Sequence, residues 1–320
     1  MTVPPDAPAT AVDQYPVTSP QIRRVSWHAG VLLVVTVCAV YLARRHWPVI
    51  ETGVGRLASA DRGWLLVATA AAVATWVCSA LAQQGAVARP LPARRLLAVQ
   101  FAASAANHVL PAGFGAGAVN LRFLTRCGLP VARSATALAV KGTAGTVVRG
   151  CLIAALALAC PGALRFPHIS ATAWAVTLAL LTSALILLSG PLRRVLRAVL
   201  ADVRAVHEAP ARAAALWGGS LAFAALHACV VISVTQAIEL PLPPAQVALA
   251  YLAASSAAVL LPTPGGLGSL DAALALALTL AGAPGSAAAS TVLGYRLLTV
   301  WLPLLPGLVT LGLLVRRRVL

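Results

Sequence analysis

Apolar residues fill long, nearly unbroken runs of this chain, and polar ones gather in the short stretches between them. Six runs, at about 26–43, 64–84, 130–160, 170–189, 212–237 and 285–315, are long enough to cross a bilayer as helices, which takes about 20 residues. The last carries Pro303 and Pro306, which predict a kink. Two further apolar regions, about 95–126 and 245–281, are each split by a Pro/Gly-rich break: LPAGFGAG at 110–117 and LPTPGGLGSLD at 261–271. Pro111, Gly113, Gly115 and Gly117 make the first break. Pro262, Pro264, Gly265, Gly266 and Gly268 make the second.

The two broken regions match each other. Laid together without gaps, 98–120 over 249–271, they share three alanines and also Ser104/Ser255, Leu110/Leu261, Pro111/Pro262, Gly115/Gly266 and Gly117/Gly268. Each is followed by a Gly-x-Pro loop, CGLP at 127–130 and AGAP at 281–284, and then by a long apolar run. This reads as an internal repeat with halves at about 64–160 and 212–315.

Arginine placement gives the repeat a direction. If both broken regions enter and leave on one side, the loops put 16 arginines on one face and 5 on the other; if both cross, the split is 9 against 12. The positive-inside rule selects the re-entrant arrangement with both termini cytoplasmic. Three full crossings then separate the hairpins, so the second copy is inverted: 95–126 enters from the cytoplasm, 245–281 from outside, and the breaks meet near the midplane. The predicted fold is an all-α integral membrane protein with about six full transmembrane helices plus two re-entrant hairpins related as an inverted repeat. Loop 44–63, with Arg44, Arg45, Arg56 and Arg62 on the arginine-poor side, departs from the rule.

Composition supports a multi-pass protein, since 60% of residues are hydrophobic and only 10% charged, against roughly 25% charged in a soluble domain. A net charge of +16 would suggest nucleic acid in a soluble chain; with the arginines in loops between spans it marks topology against an anionic membrane surface, and no nucleic-acid partner is expected. Twenty-three arginines against one lysine hint at a GC-rich bacterium, hence a bacterial cytoplasmic (inner) membrane. Residues 1–24, rich in Pro, Ala and Thr at first, read as a disordered cytoplasmic tail, with the first apolar run as an uncleaved anchor.

Cys38, Cys78, Cys127, Cys151, Cys160 and Cys229 lack CxxC spacing and mostly sit in apolar runs, as buried small hydrophobes do. No ligand set has zinc spacing, no Walker motif is present, and GFGAG at 113–117 follows no strand. Neither a metal nor a cofactor is expected.

A charge inside a spanning run costs roughly 2.5–3.5 kcal/mol on insertion scales, so each one needs a reason. Lys141 and Arg149 lie in 130–160 and Arg296 in 285–315. Lys141 is roughly 16 Å into its helix, too deep to reach the nearer headgroups easily, and Arg296 occupies a similar depth in the other copy. These cations point to a polar cavity for a lipid phosphate, or else to structural pairing, with Asp271 as the nearest acid. Asp271 begins the half-helix after the second break, with Ser269 as its expected N-cap. Half-helix N-termini at the breaks would offer free N–H groups to a phosphate. Asn107 and His108 stand just before the first break, where Asn would satisfy freed backbone groups and His could handle a proton.

The motifs Asn107-His108-Val109-Leu110-Pro111-Ala112-Gly113, Pro262-Thr263-Pro264-Gly265-Gly266-Leu267-Gly268 and Gly294-Tyr295-Arg296 followed by Trp301-Leu302-Pro303, in that order, resemble the transmembrane domain of lysylphosphatidylglycerol synthases, a flippase-like membrane family. The resemblance covers about 25–318. It implies lipid movement between leaflets, of an anionic phospholipid or a polyprenyl-phosphate lipid-linked intermediate, with membrane lipids as partners and a separate synthase or glycosyltransferase alongside. It also places Tyr295 among the candidate lipid-contacting residues. Relatives often have Arg-Glu after the Gly-Gly-Leu-Gly-x motif where this chain has Leu270-Asp271, and a Glu where it has Ala116. The sequence ends at Arg316-Arg317-Arg318-Val319-Leu320, so a stand-alone member without the soluble aminoacylating domain is expected. Two alternatives stand beside the transporter: an intramembrane lipid-headgroup transferase using Asp271, His108 and the cations, and a non-catalytic scaffold for a synthase.

Overall fold

The computed structural model describes residues 51, 55–109, 114–160, 204, 207–260 and 268–320, and every regular element among them is helical. In chain order these are α1 (Arg62–Gly85), α2 (Ala93–Val109), α3 (Phe114–Arg126), α4 (Val131–Ala159), α5 (Pro210–Ala237), α6 (Pro244–Ala257, prolonged by a 3-10 turn at Ala258–Leu260), α7 (Ser269–Leu280), α8 (Gly285–Arg296) and α9 (Leu302–Arg316). Four predicted spans are present as helices long and apolar enough to cross a membrane: α1, α4, α5 and the continuous run Gly285–Arg316. The runs at 26–43 and 170–189, the tail at 1–24 and Pro111, Gly113, Pro262, Pro264, Gly265 and Gly266 lie outside the described residues. Leu66, Leu158, Leu305 and Val309 project outward with most of their surface uncovered, which suits lipid and not water. The chain is a multi-pass membrane protein.

Small residues bring α1 and α5 together along their whole length. At one end the Asp61 N–H donates to the Ala237 carbonyl at 2.9 Å. At the other, Gly85 lies so close that a Cβ there would stand 2.4 Å from Leu216 N, and one on Gly219 would stand 2.7 Å from Ala82 N. The start of α1 therefore meets the end of α5 and the reverse, so the pair is antiparallel. Lipid supplies no hydrophobic drive between helices, and close backbone approach through glycine is how membrane helices gain van der Waals contact.

On either side of this pair the chain builds the same sequence of elements. α2 and α3 pack as a hairpin followed by long α4; α6 and α7 pack as a hairpin followed by α8 and α9. In the first hairpin a Cβ on Gly115 would stand 2.1 Å from the Ala106 carbonyl oxygen, so the half-helices touch there. The two Gly-x-Pro loops close their hairpins identically. Gly128 (φ 86°) and Gly282 (φ 106°) take the left-handed conformation. Leu129 N donates to Leu124 O and Gly128 N to Thr125 O; Ala283 N donates to Leu278 O and Gly282 N to Thr279 O. Both are Schellman caps, and Pro130 and Pro284 then lead into the next helix.

The irregularity predicted from Pro303 and Pro306 takes the form of a π turn at Leu297–Trp301, where the Leu302 N–H reaches back five residues to the Leu297 carbonyl. Pro303 offers no N–H to continue the α pattern, and a widened turn just before it absorbs the break. Pro306 is carried inside α9. There α9 lies on α2, with Gly307 against Ala105.

Candidate functional site

The described helices enclose a cavity of about 360 Å³ whose wall includes Lys141, Arg149, Arg296, Asn107, His108 and Tyr295. The residues singled out by the cost of charge or amide within an apolar run are thus brought together. Asp271 stands behind Arg296. The first turns of α3 and α7 both border the space, through Ala116 and Leu270.

On the side of the first hairpin, a chain of neutral groups carries the lysine. Lys141 Nζ donates to Ser79 Oγ at 2.9 Å and to Gln100 Oε1 at 3.1 Å. Ser79 Oγ also donates to Gln100 Oε1 at 2.8 Å, and Gln100 Nε2 donates to Asn120 Oδ1 at 2.7 Å. Asn120 Nδ2 closes the chain on the Ala116 carbonyl at 2.8 Å. Four helices, α1 to α4, are tied together by this network. An ammonium has three donors, and two are used here.

On the side of the second hairpin the cation has an anion. Arg296 Nε donates to Asp271 Oδ1, the sole ion pair among the described residues, and Arg296 is only 4% exposed. The other carboxylate oxygen, Asp271 Oδ2, accepts the Gly268 N–H at 2.9 Å. Asp271 therefore caps its helix and pairs with Arg296 at once, where the sequence posed these as alternatives. The N-cap itself is Gly268, not Ser269. At φ 88° Gly268 occupies a region open to glycine, the chain turns into the helix there, and Ser269 becomes its first residue.

Aromatic groups form the remaining wall. The Tyr251 and Tyr295 hydroxyls lie 3.1 Å apart, and the His227 ring stacks on Tyr251 with 12° between planes. His227 Nδ1 lies 3.0 Å from the Phe223 carbonyl, and since a carbonyl only accepts, Nδ1 is the donor there.

A second space of about 730 Å³ adjoins the first, with Ser79, Asn120, Lys141 and Arg149 in the walls of both. Its far wall is largely apolar or small: Leu138, Gly142, Gly145, Gly150 and Ile153 on α4, facing Ala224 and Val259. Among the break residues, Gly117 lines this space and Gly115 seats the hairpin.

Ser79, Gln100, Asn120 and Tyr251 belong to the site without having stood out in the sequence. One signal was present: the gapless register that aligns the breaks also places Gln100 over Tyr251 and Asn120 over Asp271. A family model described as the lysylphosphatidylglycerol synthase TM region matches residues 27–307. Among curated proteins none matches the chain.

Proposed function

Because the chain belongs to the lysylphosphatidylglycerol synthase TM region family, whose members are membrane proteins tied to lipid handling, we propose that it moves an anionic phospholipid or lipid-linked intermediate between leaflets. The observation that carries this reading is the cationic cavity, walled by Lys141, Arg149 and Arg296 with Asp271 behind the last, beside a mostly apolar chamber. A lipid has that same division into a charged head and an apolar chain. The residues in the roles proposed are Lys141 and Arg149 as direct phosphate contacts, Arg296 as a contact oriented by Asp271, and Asn107, His108 and Tyr295 as polar wall. The first turns of α3 and α7 add helix N-termini beside the space.

In this reading the two hairpins are re-entrant and inverted, with their breaks near the midplane and both termini in the cytoplasm of a bacterial inner membrane. The antiparallel run of α1 and α5, which occupy corresponding places before the two hairpins, supports the inversion. The identical capping of α3 and α7 supports the repeat itself. Alternating access would then come from rocking one half against the other around the cavity. A synthase or glycosyltransferase supplying the lipid is the partner implied.

The test is leaflet redistribution in liposomes. Purified full-length protein, reconstituted with fluorescent phosphatidylglycerol, should make the inner-leaflet label accessible to an external quencher, and Lys141→Gln should slow this by at least about tenfold, the equivalent of one lost charge-assisted hydrogen bond. Unchanged redistribution in Lys141→Gln would remove the cavity from the path. Chemically altered label would favour the headgroup transferase.

A further inference from the structure

Charge is not balanced across this cavity. Among the described residues a carboxylate meets Arg296 but neither Lys141 nor Arg149; Lys141 is held by Ser79 and Gln100, both neutral. Arg149 lines both spaces, and no carboxylate lies within ion-pair distance of it among the described residues. Two basic groups thus face the cavity with no carboxylate of their own among the described residues. Both are half-buried, and a cation that loses part of its water without gaining an acid is costly, so the arrangement is suited to a ligand that brings the missing negative charge.

The neighbouring chamber carries a second, independent signal. On α4, Gly142, Gly145 and Gly150 recur on the face that bears Lys141 and Arg149, and a Cβ added at any of the three would meet nothing within 4 Å. Glycine in a helix interior costs roughly 1 kcal/mol against alanine. At Gly85 and Gly219 that cost is explained by backbones in contact, but these three glycines face open space. They keep a groove clear beside the cations.

We infer that the ligand is a lipid with a doubly charged phosphate headgroup, a phosphate monoester on a long apolar chain, seated between Lys141 and Arg149 with its chain along the glycine face of α4. The inference rests on the lipid-handling reading above and narrows it. A phosphodiester such as phosphatidylglycerol carries one negative charge and leaves one cation unmatched. A monoester approaches two at neutral pH and presents three terminal oxygens as acceptors. Arginine meets such oxygens in bidentate fashion and lysine as a point charge, so the two residues divide the headgroup between them. Lysylphosphatidylglycerol, whose two amino groups outweigh its phosphate, is disfavoured by the same count.

The experiment is binding to purified full-length protein in neutral detergent, with dioleoyl phosphatidate, dioleoyl phosphatidylglycerol, lysylphosphatidylglycerol and inorganic phosphate as probes. Phosphatidate should bind at least about tenfold tighter than phosphatidylglycerol, one additional charge-assisted contact being worth that much. Lysylphosphatidylglycerol should bind more weakly than either, and inorganic phosphate should displace phosphatidate only at far higher concentration. Arg149→Gln should bring the two phospholipids to parity while Arg149→Lys keeps the preference, and an unchanged melting temperature shows that both variants fold. Gly145→Leu should block phosphatidate.

Equal affinity for phosphatidate and phosphatidylglycerol, or a preference that survives Arg149→Gln, overturns the inference. Free phosphate competing on equal terms assigns the cavity to a soluble anion and overturns it too. Redistribution measured with the same lipids separates the two claims. Phosphatidate bound preferentially but never moved overturns transport alone, whereas lipids moved without regard to headgroup charge overturn this inference alone.

Discussion

The first hairpin with its following helix, α2 to α4, and the second, α6 to α8, place polar groups at corresponding positions and treat charge in opposite ways. Gln100 stands where Tyr251 does, and Asn120 where Asp271 does. With the two Gly-x-Pro loops superimposed, Lys141 falls on Tyr295, next to Arg296. On the first side amides and a hydroxyl hold the cation; on the second a carboxylate neutralises it. The second side is thereby complete without a ligand and the first is not. An anion entering the cavity meets its unmatched cations at Lys141 and Arg149, with Arg296, already paired with Asp271, as a further contact in the same wall.

The largest effect should come from breaking the completed side. Asp271→Asn keeps the shape but strips the carboxylate from an arginine that is 4% exposed. Removing one partner of a buried pair costs about 3–5 kcal/mol, and the 30% exposure of the Asp271 side chain puts this case near the lower figure. The melting temperature in detergent should fall sharply, and Asp271→Asn combined with Arg296→Gln should recover part of the loss. A double variant no more stable than the single one would show that the pair is not what holds α7 to α8.

Next in size is the packing that the two halves share. Gly219→Leu forces a side chain into the backbone of α1 at Cys78 and Ala82. Overpacking of this kind costs roughly 1–3 kcal/mol, and the neighbour here is main chain, which cannot rotate away. Gly145→Leu, on a helix face with open space, meets no clash and should hold or raise the melting temperature, by up to roughly 1 kcal/mol as the helix cost of glycine is removed. Thermal unfolding of the two variants side by side measures the difference between a glycine kept for contact and one kept for space.

Legibility in the sequence followed the size of the energetic signal. Lys141, Arg149 and Arg296 stood out because charge in an apolar run is expensive, and the structure gathers all three at one cavity. The broken hairpins and four of the spans were readable for the same reason: twenty apolar residues, or a Pro/Gly interruption of them, admit few structures. Gln100, Ser79 and Tyr251 gave no such signal, since an uncharged polar side chain in a spanning helix is cheap once partnered, and partners from other helices are invisible in one dimension. Asn120 was recoverable only by asking what stands opposite Asp271. The cap at Gly268 was missed because serine outranks glycine in general preference, whereas here the backbone enters the helix from positive φ.

Exchanging the chemistry of the two sides tests the comparison more directly. Asn120→Asp gives the first hairpin the acid that the second possesses, one link from Lys141 through Gln100. The added carboxylate offsets one of the two unmatched cations. Binding of an anionic lipid should weaken by about tenfold, consistent with one charge interaction at intermediate dielectric, while stability holds or rises. If affinity is unaffected, the charge surplus does not govern the site.

The smallest expected effect concerns direction, not strength. The loops at 127–130 and 282–284 are capped by the same hydrogen bonds, yet the inverted reading puts them on opposite faces of the membrane. Native Cys127 serves as one reporter and Ala281→Cys, in a background without the other cysteines, as the second. Gly128 and Gly282 themselves are unsuitable, because a side chain at φ 86° or 106° would be strained. Burial holds the Cys127 thiol above its ordinary pKa, with Arg89 and Arg95 pulling it partly back, so a membrane-impermeant maleimide should react slowly near neutrality and faster as pH rises and the thiolate fills. In inside-out vesicles Cys127 should react and Ala281→Cys should not; in right-side-out vesicles the pattern should reverse. Reaction of both from the same face would make the two halves parallel copies, and the shared caps would then reflect only local sequence.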